Sequence, residues 1–78
     1  MIIYILGIDD AMDFVSLARK LGFDVSRAKQ VTRDGWFELR VPMDENYAAL
    51  LADSLRIPIK NIKTADGNPL THRFISEQ

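Results

Sequence analysis

Asp34-Gly35-Trp36-Phe37-Glu38-Leu39-Arg40-Val41-Pro42 is the stretch whose reading decides the fold. Asp-Gly is a strong turn dipeptide, because glycine takes the positive φ that a tight reversal needs. Beyond it the side chains alternate: Phe37, Leu39 and Val41 share one parity, and Trp36, Glu38 and Arg40 share the other. That period predicts a strand with one buried and one open face. Pro42 cannot donate to a ladder and closes the strand. A turn at its head means that another strand precedes it.

Upstream of the turn, Phe23 to Arg33 reads as a polar edge strand. Val25, Arg27, Lys29, Val31 and Arg33 lie on one parity, and Asp24, Ser26, Ala28, Gln30 and Thr32 on the other. Before it, Ala11, Phe14, Val15, Ala18 and Leu21 recur at spacings of three and four, which predicts an amphipathic helix. Asp9 and Asp10 are placed to cap its start, and Asp13 adds negative charge in its first turn. Arg19 and Lys20 complement the carbonyl end, where Gly22-Phe23 supplies a left-handed cap with its hydrophobic contact. Ile2-Ile3-Tyr4-Ile5-Leu6, cut off by Gly7, reads as a buried central strand.

Downstream, Asp44 is an N-cap for a second helix with Tyr47, Ala48, Leu50, Leu51, Ala52 and Leu55 on its apolar side, ending before Pro58. Ile59, Ile62 and Thr64 predict a last strand, residues 65–69 a turn, and Leu70, His72 and Phe74 a further short strand or arm. The order β-α-β-β-α-β predicts an α+β fold of the ferredoxin-like split βαβ type. In it, two helices cover one face of an antiparallel sheet, and an extra C-terminal strand is an option. The whole chain, 1–78, is one domain in this reading, with Phe14, Leu17, Leu21, Phe37, Leu39, Val41, Leu51 and Leu55 in its core.

Ten Lys and Arg against eleven Asp and Glu give a formal charge of −1, without the basic excess of a general nucleic-acid binder. The chain has no cysteine, so thiolate metal sites, disulfides and cysteine nucleophiles are excluded. The apolar run Met1–Leu6 is far too short to span a bilayer, and the expected location is the cytoplasm. Asp9, Asp10 and Asp13 are read as helix-start residues rather than metal ligands, and Asp44 and Glu45 likewise, while Asp53 has no partner that would make a catalytic pair. His72 is the single histidine, and neither Ser16, Ser26 nor Ser54 stands at a spacing that would make it a nucleophile beside it. The four glycines fall at turns and form no phosphate loop. No cofactor, metal or catalytic residue is expected, and the chain is read as a non-enzyme.

What remains is aromatic and basic. If strands one and three are central neighbours, Tyr4 and Trp36 meet on the open face beside Glu38 and Arg40, and Trp, Tyr and Arg are enriched at binding hot spots. Ile3-Tyr4-Ile5-Leu6-Gly7-Ile8 and Gly35-Trp36-Phe37-Glu38-Leu39-Arg40-Val41 resemble in fold the RNA recognition motif family, whose first and third strands carry aromatic residues that stack on bases. Asp34 and Glu38 stand where that family places a basic residue and a second aromatic one. Arg27, Lys29, Arg33 and Arg40 form a basic stripe along the edge strand. It either protects that edge from pairing or contacts an acidic surface or phosphates.

The expected function is therefore a small binding module that docks on a protein partner through Tyr4, Trp36, Glu38, Arg40, Arg27, Lys29 and Arg33. Its size and its start at Met1 suit a regulator or inhibitor, of the kind viruses deploy against host machinery. The alternative is single-stranded RNA or DNA on the same face, and a homodimer through that face is a third option. No membrane partner is expected.

Overall fold

The computed structural model describes residues 1–70. It contains β1 (Ile2–Leu6), α1 (Ile8–Lys20), β2 (Lys29–Gln30), β3 (Trp36–Arg40), α2 (Glu45–Ser54), a 3-10 turn (Ile59–Asn61) and β4 (Ile62–Thr64). The four strands form one sheet in the order β2-β3-β1-β4, and every neighbouring pair is antiparallel. This is a small α+β fold of two helices and a four-stranded antiparallel sheet.

Alternation sorts the sheet into two faces. Ile3, Ile5, Phe37, Leu39 and Ile62 point to the side that also holds Ala11, Phe14, Val15 and Ala18 of α1 and Ala48, Ala49, Leu51 and Ala52 of α2, in one buried cluster. The alanines of both helices let backbones approach closely, so a short chain still packs a dry core. The alternation expected of β3 is what the structure has, with Phe37, Leu39 and Val41 buried and Trp36, Glu38 and Arg40 on the other side.

Several expectations need correction. Helix α1 begins one residue before the aspartates: Gly7 is its N-cap, no side chain caps it, and Asp9 and Asp10 lie inside its first turn. Gly7 at φ 96° swings the chain directly from β1 into the helix, leaving no extended residue to serve as an Asp cap. The two carboxylates therefore act on the helix dipole alone. Leu21, expected in the core, is 51% exposed. The chain turns there: Gly22 N–H donates to the Arg19 carbonyl and Phe23 N–H to the Ala18 carbonyl, both at 3.0 Å. This Schellman cap sends Phe23 rather than Leu21 back against the core.

The edge strand shrinks from the expected 23–33 to Lys29–Gln30. Val25 leaves the alternation to plug the core at 2% exposure, and Ser26 ties the irregular stretch to β3, its N–H donating to the Arg40 carbonyl and its Oγ accepting from the Arg40 N–H. On α2, Asp44 caps as expected, its Oδ1 accepting from the Tyr47 N–H at 2.8 Å. Tyr47 and Leu50, however, are each 40% exposed, and Ala49 takes a core place instead. Tyr47 packs edge-on against Phe23 with ring centroids 5.2 Å apart. The α2 exit repeats the Schellman pattern, Arg56 N–H to Asp53 and Ile57 N–H to Ala52, but with a non-glycine, Arg56, at φ 60°. Ile59 is in the 3-10 turn and exposed, so β4 is shorter than expected. After β4 the chain reverses at Ala65–Gly67, Pro69 bridges Lys63, and Leu70 is buried. The expected strand or arm beyond it, with His72 and Phe74, lies outside the described residues.

Candidate functional site

Strands β1 and β3 pair so that Tyr4 faces Glu38, Leu6 faces Trp36 and Ile2 faces Arg40. Tyr4 and Trp36 are thus diagonal rather than directly opposite neighbours, still within reach of large side chains. Ile2, Tyr4, Leu6, Trp36 and Glu38 are all half-buried on the helix-free face, and no described element covers it. The hairpin fixes Trp36 firmly: its N–H donates to Thr32 Oγ1 at 3.0 Å, and its carbonyl accepts from the Val31 N–H at 2.9 Å.

The two aromatic side chains have different partners. Tyr4 donates its hydroxyl to Glu38 Oε2 at 3.1 Å. That hydrogen bond first, then burial and the charge of Glu38, raise the Tyr4 pKa above its ordinary 10.0, because an ionised phenol beside a carboxylate is doubly disfavoured. Lys63, the Cα partner of Tyr4 on β4, reaches across β1 and sets its ammonium 4.2 Å from the centre of the Trp36 ring, a cation–π contact. Across the sheet the register lines up Lys63, Tyr4, Glu38 and Lys29 as cation, phenol, carboxylate, cation. A shallow depression of about 420 Å³ beside Tyr4 and Trp36 is walled by Lys63 and the turn after β4.

The basic stripe divides. Arg27, Lys29 and Arg40 line one cleft of about 840 Å³ along the β2 edge, joined by Arg19 from α1. Arg33 is not with them. It sits in the hairpin loop, because β2 ends at Gln30 and the parity it shared with Lys29 no longer applies. Among the described residues, no group of three or more His, Asp or Glu is arranged to hold a metal ion. Asp9 and Asp10 lie in the first turn of α1, where helix-start charges are expected, whereas Asp13 falls beyond that turn.

Sequence reasoning missed Lys63 and Arg19. Lys63 was open to deduction, since Ile62 and Thr64 point inward and the residue between them must point outward on a strand beside β1. Arg19 was read only as a charge at the helix end. The cleft that uses it exists because β2 is short, which no local pattern announced.

The chain matches no protein-family model, no curated protein and no solved structure.

Proposed function

We propose that this chain is a non-enzymatic binding module that docks on a protein partner through its open sheet face, as a regulator or inhibitor. The observation that carries the reading is the cluster of Tyr4, Trp36, Leu6 and Ile2, half-buried and uncovered among the described residues, around a fixed Glu38. Rigid amphipathic rings with a polar handle give large contact area at low entropic cost, as protein hot spots do. A single-stranded nucleic acid fits the face less well. The Lys63 ammonium already occupies the Trp36 ring, and Glu38 at the centre repels phosphate.

The architecture supports the same picture. Central β1 and β3, flanked by β4 and β2, with a helix following β1 and another following β3 on one face, fit the ferredoxin-like split βαβ sandwich. A cysteine-free chain, with no described helix long and apolar enough to cross a membrane, fits work in the cytoplasm.

The test is capture from extract on immobilised wild-type chain and on Trp36→Ala, each washed at low and at high salt. A protein retained through high salt by wild type and lost by Trp36→Ala is the expected result, since apolar docking resists screening. Retention of nucleic acid that high salt removes would overturn the reading in favour of the RNA or DNA alternative.

A further inference from the structure

The cleft along the β2 edge holds four of the ten Lys and Arg of the chain: Arg19, Arg27, Lys29 and Arg40. They come from four places: the last turn of α1, the irregular run before β2, β2 itself, and the end of β3. All four are exposed. Arg19 is held in position by donating to the Val25 carbonyl at 3.1 Å. The side chains of Arg27, Lys29 and Arg40 make no hydrogen bond or ion pair among the described residues. Glu38 is the one carboxylate lining the cleft, and its Oε2 is engaged by Tyr4.

Protection of the sheet edge does not account for this arrangement. A two-residue strand presents little edge to protect. Edge protection also gives no reason for Arg19 of the helix and Arg40 of the neighbouring strand to converge on the same space. Like charges gathered around a concavity repel one another, and the cleft focuses their field outward. An anion is the complement that relieves both. Apolar side chains share the lining: Met12, which is 53% exposed, and Val15, which is buried. No aromatic ring lines the cleft, so it offers nothing for a base to stack on.

We propose that this cleft binds an acidic peptide segment of a protein partner, with carboxylates on Arg19, Arg27, Lys29 and Arg40 and an apolar side chain resting on Met12 and Val15. The inference rests on the reading that the partner is a protein, but not on the open face being where it docks. Arginine forks suit paired carboxylates, which gives the site geometric as well as charge preference.

The experiment measures polarisation of a fluorescein-labelled peptide of alternating Glu-Glu-Leu units on the full chain. It is repeated on the double variant Arg27→Gln/Arg40→Gln, on Met12→Gln and on Trp36→Ala. All of these positions are exposed or half-buried, so the fold is retained and circular dichroism verifies it. Expected are saturable binding by wild type, a loss of about tenfold or more in the double variant, a smaller loss in Met12→Gln, and no change in Trp36→Ala. Absence of binding by wild type, or binding that the double variant keeps, would overturn the proposal. So would a deoxythymidine oligonucleotide of equal charge that displaces the peptide and binds more tightly, since the cleft would then be a nucleic-acid site. A failed open-face reading shows separately, as partner capture that Trp36→Ala leaves unchanged while the peptide result stands.

Discussion

The same two strands build two unlike surfaces. On the helix side of β1 and β3, Ile3, Ile5 and Leu39 are fully buried and Phe37 nearly so. On the other side Tyr4, Trp36 and Glu38 are only half-covered; a phenol–carboxylate hydrogen bond ties Tyr4 to Glu38, and Lys63 lies over the Trp36 indole. The difference teaches where stability and function separate. The closed face is held by burial, which is non-directional and tolerates any well-packed apolar set. The open face is held by directional contacts between polar handles and rings, which a stability requirement alone would not select.

Stability measurements can break that division. Leu39→Ala on the closed face should cost about 2–5 kcal/mol in denaturant unfolding, whereas Trp36→Ala, although it removes a larger side chain, should cost no more than about 2–3 kcal/mol, from its cation–π contact and partial burial. Equal losses would mean that the open face is structural core. The helix starts sharpen the contrast within the closed side. Asp44→Ala removes a cap bond and should cost about 1 kcal/mol, while Asp9→Ala removes only a dipole interaction, about 0.3–1 kcal/mol and screened by salt. Thermal melts at low and high salt check this. At the helix ends, Arg56→Gly should stabilise by about 1 kcal/mol or less, because glycine relieves the left-handed strain but adds freedom to the unfolded chain. A destabilised Arg56→Gly would show that the arginine side chain has a partner worth more than its strain.

The smallest effect lies in the open face itself. In a Tyr47→Phe background, which leaves Tyr4 as the one tyrosine, absorbance titration should show the Tyr4 phenol ionising above 10.0, and Glu38→Gln should bring it back down. The folded state holds this proton more tightly than the unfolded one. Its stabilisation is therefore complete below the ordinary tyrosine value and is lost as pH rises through the raised one. Titration at the ordinary value in both proteins would contradict the Tyr4–Glu38 bond.

How far the sequence could be read follows the same division. The alternation of Phe37, Leu39 and Val41, the Asp44 cap and the Gly22-Phe23 helix exit were all legible, because each depends on residues adjacent in the chain. The failures had two sources. Distant packing made Val25 give up strand pairing for a core position. Local backbone geometry overrode the side-chain pattern elsewhere: the Schellman cap turned Phe23 to the core in place of Leu21, and the glycine at φ 96° moved the start of α1 ahead of its aspartates. At the candidate sites, Tyr4, Trp36, Glu38 and Arg40 were visible from parity alone. The grouping of Arg19 with Arg27, Lys29 and Arg40, and the exclusion of Arg33, depend on how short β2 is.

The most direct test of the two-faced account is the fluorescence of Trp36, the single tryptophan, read as emission maximum and acrylamide quenching in the folded chain at low and high concentration and with mixed single-stranded oligonucleotides. An accessible indole, quenched by acrylamide, independent of concentration and unmoved by oligonucleotide, is what an open protein-docking face predicts. Blue, unquenchable emission would place Trp36 in a closed core or a dimer, and quenching by oligonucleotide would hand the face to nucleic acid; either result contradicts the account.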